Sequence, residues 1–355
     1  MYTRVNWTNS ATTPLNQQNL NVMDKGIKDN ATSIKNIEIK LGLNTWDVMS
    51  AEGLKGTGTE SDPYIIDTPG SLVFFAASVN SRKIDATAEK YVSLEADIDL
   101  GGIPVIIGNR DYCDNLHFNG NYHKISGYEH NDNEMDYVAL FQSVRNSEIK
   151  NLILDVKISC YAGAALIFEG YNTTVKNCMV SGSVYGHYKS AGIAATMYGG
   201  SIEGCINKCF LQSDNGFSAG ICAEGYNTQV LSCINAGFIY GNCAGIVYKG
   251  GRNTNYGDSP LTIKNCIDIG TESIYNGSTN VYAPIYCYNL VPAEVSVLNC
   301  YYPPRPYAYS GSGTESTAMK TEAFVNTLNA EKQDFVYNET INNGYPCLLW
   351  QAGGV

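Results

Sequence analysis

Val175-Lys176-Asn177-Cys178 is the first of five copies of one short phrase, which returns as Ile202-Glu203-Gly204-Cys205, Val230-Leu231-Ser232-Cys233, Ile263-Lys264-Asn265-Cys266 and Val297-Leu298-Asn299-Cys300. A β-branched residue opens each copy and a cysteine closes it, and successive cysteines are 27, 28, 33 and 34 residues apart. An earlier copy, Ile149 to Leu152, carries Leu in the cysteine slot. Self-similarity at such a period is the mark of a solenoid, in which each turn buries its apolar face against the next. Equal residues then stack in columns, and a thiol suits a tight interior slot because it needs no strong hydrogen-bond partner.

A second phrase keeps step with the first. Ala191-Gly192-Ile193, Ala219-Gly220-Ile221 and Ala244-Gly245-Ile246 follow their cysteines by 13, 14 and 11 residues, with Ala162-Gly163-Ala164 before them. Glu169-Gly170-Tyr171-Asn172-Thr173 also returns as Gly225-Tyr226-Asn227-Thr228. A β-sandwich uses many short strands too, but does not require the same residue types at near-constant spacing. Leucine-rich repeats need a Leu ladder and a shorter period. The expected fold is all-β, a right-handed parallel β-helix.

Both ends of a solenoid expose apolar faces and unpaired edges, so both need covering. The apolar run between Gly70 and Ser81, with Leu72, Val73, Phe74, Phe75, Ala76 and Val79, predicts a helix over the first coil. Met319, Phe324, Val325 and Leu328 predict a helix near the other end, and Gly344 to Trp350 a closing strand.

Upstream the period changes. Leu20, Met23, Ile27, Asn30, Ile34, Ile37 and Leu41 are spaced alternately by three and four residues, which is a heptad seam with Leu20, Ile27, Ile34 and Leu41 at a and Met23, Asn30 and Ile37 at d. Thr13-Pro14 supplies a start and Gly42 a stop. This a/d composition favours a short α-helical coiled coil joining three copies, with Asn30 setting register. The expected layout is a leading segment at 1–13, the trimeric coiled coil at 14–43, the β-helix N-terminal cap and first coils at 44–130, the repeat coils at 131–310 and a C-terminal cap at 311–355.

Of the 355 residues, 44% are hydrophobic and only 16% charged, a composition poor in the Lys and Glu that cover helical surfaces. The net charge of -11 argues against nucleic acid, whose binding rests on Lys and Arg displacing counterions. The first residues lack an apolar signal region and no run reaches the length of a membrane span, so assembly in the cytoplasm without export or membrane insertion is expected.

Gly56-Thr57-Gly58-Thr59-Glu60-Ser61-Asp62-Pro63-Tyr64-Ile65-Ile66, Leu94 to Leu100 and Phe118-Asn119-Gly120-Asn121-Tyr122-His123-Lys124-Ile125-Ser126-Gly127 resemble the opening of β-helical GLUG-type repeat proteins. The resemblance extends over roughly residues 54 to 350, with Ala-Gly-Ile where Gly-Gly-Leu is common. Val5-Asn6-Trp7-Thr8-Asn9, Thr13-Pro14-Leu15-Asn16 and Met23-Asp24-Lys25-Gly26-Ile27 are similar to the N-termini of bacteriophage tail-fibre, appendage and receptor-binding proteins. That resemblance implies that 1–13 is a virion-attachment segment and that the protein is a homotrimer anchored through it to other tail, baseplate or collar proteins of a virion, binding a host-surface glycan or protein without catalysis. A tailspike depolymerase and a bacterial surface adhesin are the alternatives.

For a depolymerase, Asp97 with Asp99, or Asp132, Glu134 and Asp136, would have to supply paired carboxylates. A turn explains the first pair equally well, and a solvated loop the second. His117, His123, His130 and His187 show no metal-ligand spacing, and Cys113 with His117 or Cys205 with Cys209 lacks the second pair of a zinc site, so no metal or cofactor is expected. Binding is the leading expectation. The chain has 26 Tyr against 10 Phe, and Tyr185, His187, Tyr188, Tyr198, Tyr226, Tyr240, Tyr248, Tyr282, Tyr286 and Tyr288 fall near turns, where rings and neighbouring Asn and Ser could meet sugars.

Overall fold

The computed structural model describes residues 54–85, 87–108, 113–131, 137–255, 259–273, 282–287, 294–305 and 313–353. The heptad residues Leu20, Met23, Ile27, Asn30, Ile34, Ile37 and Leu41, the attachment segment, and Asp132, Glu134 and Asp136 lie outside them.

The described chain is an all-β parallel solenoid of about seven turns. Its strands form two sheets, one of 13 strands and one of 15, and the chain passes repeatedly between them. The five phrases are in register: Val175 pairs with Ile202, Ile202 with Val230, Val230 with Ile263 and Ile263 with Val297. Before each cysteine sits a left-handed residue, Asn177, Gly204, Ser232, Asn265 or Asn299, with φ of 52°, 57°, 53°, 55° and 53°. This residue turns the chain from the first sheet into the second, and Asn tolerates that conformation because its short amide bonds locally. The amides also bond between turns: Asn299 Nδ2 donates to Asn265 Oδ1 at 2.7 Å and Asn177 Nδ2 to Asn151 Oδ1 at 3.3 Å.

Cys178, Cys205, Cys233, Cys266 and Cys300 stack inside as free thiols, joined in the core by Ile193, Ile221 and Ile246 of the Ala-Gly-Ile phrases. A neighbouring interior column starts apolar and turns polar. Ile98, Ile125, Leu154 and Val180 occupy successive rungs, followed in the same register by Asn207, Asn235 and Asp268. These three are buried and bonded in series, Asn207 Nδ2 to Asn235 Oδ1 at 2.8 Å and Asn235 Nδ2 to Asp268 Oδ1 at 2.7 Å. Their side chains explain the glycine of Ala-Gly-Ile. A Cβ on Gly192 would lie 2.1 Å from Gly220 O and 2.5 Å from Asn207 Oδ1, and one on Gly220 would lie 2.1 Å from Gly245 O and 2.6 Å from Asn235 Cγ, so the backbone of the next coil excludes it as well.

The run expected over the first coil is helix α1, Pro69–Asn80, capped by Thr68 and Ser71 in a reciprocal box, with Leu72, Phe75, Ala76 and Val79 in the core. At the other end, α2 (Glu322–Leu328) and an antiparallel pair, Phe335–Val336 with Cys347–Leu348, lie along the flank of the coils. There Phe324, Val325, Leu328 and Leu348 cover the apolar outer column Ile206, Ile234 and Ile267. Trp350 reaches furthest back, its Nε1 donating to Gly204 O at 2.9 Å and its ring stacked 5.6 Å from Tyr122.

Candidate functional site

Outside the Ala-Gly-Ile corner, the two sheets face each other across a second, smaller apolar cluster. Its members are mostly alanines, among them Ala162, Ala191, Ala195, Ala219 and Ala223, closed by Phe168 and Phe217. Small side chains between the two arms leave a cleft of about 490 Å³, lined by Tyr161, Ala162, Tyr188 and Lys189 on one arm and by Gln142, Ser143, Phe168 and Glu169 on the other, with Tyr137 at its mouth.

Aromatic rings run along this cleft from coil to coil. Phe168 lies 4.9 Å from Tyr137, Tyr137 lies 6.1 Å from Tyr161, and Tyr161 stacks 6.0 Å from Tyr188. The ribbon continues through Phe217, 5.8 Å from Tyr188, to Tyr248, stacked 4.5 Å beyond. Tyr137 and Tyr188 are 48% and 41% exposed and reach solvent, whereas Phe168 and Phe217 are buried beneath them.

A polar column runs beside the ribbon: Ser143, Glu169, Thr196, Glu224 and Lys249 pair in register across successive coils. From the other arm Lys189, with only 9% of its side chain exposed, donates to Thr196 Oγ1 at 3.0 Å and sits 3.3 Å from Glu224 Oε1. Lys249 approaches the same oxygen at 2.9 Å and lies 4.6 Å from the Phe217 ring centre. Burial pushes the Lys189 amine below its usual range against the pull of Glu224. Burial also pushes the Glu169 carboxyl above its usual range, against the Lys189 charge and a hydrogen bond from Tyr171. Beyond the column stands a third file, Tyr171, Tyr198 and Tyr226, stacked at 4.9 and 5.5 Å.

The residues expected to bind are divided by this geometry. Tyr188 and Tyr248 are in the ribbon, and Tyr198 and Tyr226 are in the outer file. His187 Nε2 meets Asn215 Nδ2 at 3.1 Å and lies 6.0 Å from Tyr161, at the ribbon's margin. Tyr185 bonds Asp214, and Tyr240 pairs in register with Gln212; neither lines the cleft, although Tyr185 shares a strand with Tyr188. Tyr286 is fully buried and donates to Gly250 O at 3.0 Å, so its ring is interior packing and not a surface. The side chain of Tyr282 and all of Tyr288 lie outside the described residues. Tyr137, Tyr161, Phe168, Phe217, Glu169 and Lys189 were not singled out by the sequence. Only the return of Glu-Gly-Tyr-Asn-Thr hinted at this face.

The acid pair near the first coils serves turns. Asp97 accepts from Lys124 N and meets His123 Nδ1 at 3.1 Å, which holds its carboxyl below the usual range, while Asp99 accepts from Gly101 N. His117 stacks on Tyr91 at 4.3 Å.

No family model and no curated protein matches the chain. Among solved structures it is similar to one from Bacteroides ovatus described as a "putative immunoglobulin A1 protease", with a TM-score of 0.57 and 18% identity over 83% of this chain and 94% of that one. A structure named IgA1 Protease shares 14% identity over 65% of this chain and 21% of its own length, with a TM-score of 0.41. The first likeness shows the fold. It also corrects the expectation of a phage tail fibre or appendage: the protein that shares this solenoid along most of its length is a bacterial one, named for a protease. The physical reason for the error is that repeat spacing specifies a scaffold, and one scaffold carries many unrelated functions.

Proposed function

We propose that this chain is a saccharide-binding solenoid whose cleft between the two sheets takes an extended glycan. The ribbon Phe168, Tyr137, Tyr161, Tyr188, Phe217 and Tyr248 carries this reading. The exposed rings of Tyr137 and Tyr188, backed by the buried Phe168 and Phe217, offer apolar surface to a sugar, with Gln142, Ser143, Glu169 and Lys189 beside them as hydrogen-bonding groups. The test is a glycan array probed with the full-length protein. Binding that falls on replacing Tyr188 supports the reading; capture of peptides but no glycans, as the neighbour's name would suggest for a protease, overturns it.

The finer features of the chain are part of the same proposal. Right-handed winding follows the strong preference of parallel crossovers. The heptad residues Leu20 to Leu41 would hold three copies together, so that several clefts act on one surface with a high effective concentration. Sedimentation at three times the 38.6 kDa chain mass supports this, and a monomer refutes it.

A further inference from the structure

We propose that the saccharide taken by this cleft carries a protonated amino group, received by Glu169 in the space beside Ala162 among the rings of Tyr137, Tyr161, Phe168 and Tyr188. This rests on the saccharide reading of the cleft and names the kind of sugar it selects.

The register of the coils shows where the cleft has room for a cation. Tyr137, Ala162, Lys189 and Phe217 hold equivalent positions on successive coils of one arm, and Ser143, Glu169, Thr196 and Glu224 do so on the other. Lys189 reaches across to Thr196 Oγ1 at 3.0 Å and on to Glu224 Oε1 at 3.3 Å. One coil earlier Ala162 stands in the place of Lys189 and Glu169 in the place of Thr196, and both line the cleft. A methyl thus faces the acid where the next coil carries a lysine stem and its ammonium.

Two properties of the cleft suit a cation. Glu169 takes hydrogen bonds from Tyr171 and Ser143, but among the described residues no ammonium or guanidinium stands at ion-pair distance from it, since Lys189 and Lys249 both pair with Glu224. Burial lifts the Glu169 carboxyl more than the Lys189 charge, itself opposed by Glu224, lowers it, so the charged form gains from a further cation. The rings supply the second property. Tyr137 stands at 77° to Tyr161, whereas Tyr161 and Tyr188 lie within 10° of parallel, so the rings wall the cleft from more than one direction. A ring face attracts an ammonium within about 6 Å. The molecule makes this contact itself further along the ribbon, where Lys249 Nζ lies 4.6 Å from the Phe217 ring centre while paired with Glu224. A hexosamine brings the same ammonium together with ring carbons to pack on Tyr188 and hydroxyls for Gln142 and Ser143. Acetylation of its nitrogen removes the charge.

The experiment measures binding of a glucosamine oligosaccharide and of its fully N-acetylated form to the full-length protein by calorimetry. Expected is a preference of at least about tenfold for the free amine, the worth of one charge-assisted contact, reduced to near equality in E169Q. Affinity for the amine should fall at acid pH as Glu169 takes up a proton, and E169Q should lack that fall. A second measurement needs no sugar: A162K places an ammonium of the protein's own beside Glu169, and A162M a side chain without charge. A162K should melt at least about 2 °C above A162M, and adding E169Q to both should abolish the difference. Equal affinity for the two sugars overturns the inference and leaves the saccharide reading standing, and so does an A162K that melts no higher than A162M. A preference kept in E169Q marks general attraction to a chain of net charge -11 and overturns it as well. If no glycan of any kind binds, the saccharide reading itself fails and takes this inference with it, an outcome distinct from binding without preference.

Discussion

Arg305 Nη2 lies 2.9 Å from Asp268 Oδ2 with both side chains buried, and this ion pair ends the interior ladder that begins at Asn207. A carboxylate inside a solenoid core needs a compensating charge, and Arg305 provides it while also donating to Asp268 O at 3.1 Å. Asp268→Ala should leave the guanidinium without its counter-charge and cost about 3–5 kcal/mol. The double replacement Asp268→Asn with Arg305→Met should recover most of that loss, since an uncharged ladder needs no counter-ion. Urea denaturation of the three proteins measures both values, and a double variant as weak as the single one would refute the argument.

Gly220 tests the other side of the same ladder. Gly220→Ala places a methyl 2.6 Å from Asn235 Cγ and against the backbone carbonyl of the next coil, neither of which can yield without shifting a rung. A loss of about 1–3 kcal/mol is expected, the usual cost of overpacking. Gly102→Ala is the control for space, because nothing lies within 4 Å of its added Cβ. Its cost should come from φ alone, about 1 kcal/mol. Equal losses in the two variants would show that crowding by the next coil and the ladder does not set the glycine.

The buried thiols, in the column and beside it, give a pH dependence. Burial raises the Cys113 thiol to about 11 and the Cys222 thiol to about 12, and raises Cys178, Cys205, Cys233 and Cys266 well above the ordinary 9.0. Above pH 9 the unfolded chain releases these protons and the folded chain keeps them, so folding binds the extra protons. The associated stability is complete below pH 9 and falls as pH rises through 11 and 12. Melting temperature between pH 7 and 10.5 should be flat at first and then decline. Iodoacetamide at pH 8 should label these cysteines only after unfolding, and rapid labelling of the folded protein would contradict their burial.

The ribbon predicts a separation of binding from stability. Tyr137→Ala and Tyr188→Ala remove half-exposed rings, so each should weaken glycan binding about three- to tenfold, the worth of one stacking contact. Their melting temperatures should stay within a few degrees of the parent. Tyr185→Ala, on the same strand as Tyr188 but outside the cleft lining, should leave affinity unchanged; a loss there equal to that of Tyr188→Ala would move the site away from the cleft.

What the sequence by itself determined is what recurs once per turn. A slot that meets the same neighbours in every coil selects the same residue, so Cys178 through Cys300 and the Ala-Gly-Ile corners could be read as columns without coordinates, whereas the left-handed turn before each cysteine, filled by Asn, Gly or Ser, could not. Helix α1 was legible because an apolar run, Leu72 to Val79, is a local property of the chain. The tertiary structure alone decided what lies side by side when strands of different coils come into register. Asn207, Asn235 and Asp268 share no phrase, and they form a ladder only because Val180 and Asn207 occupy equivalent rungs. The cleft is likewise assembled from residues as distant as Tyr137 and Tyr248, on two sheets that face each other only after the corner has folded. Tyr286 shows the same limit from the opposite side: a tyrosine near a turn reads as a surface ring, and only the Gly250 carbonyl waiting for its hydroxyl makes it interior. Periodicity records contacts between copies of one slot, whereas binding depends on contacts between different slots, which a one-dimensional repeat does not encode.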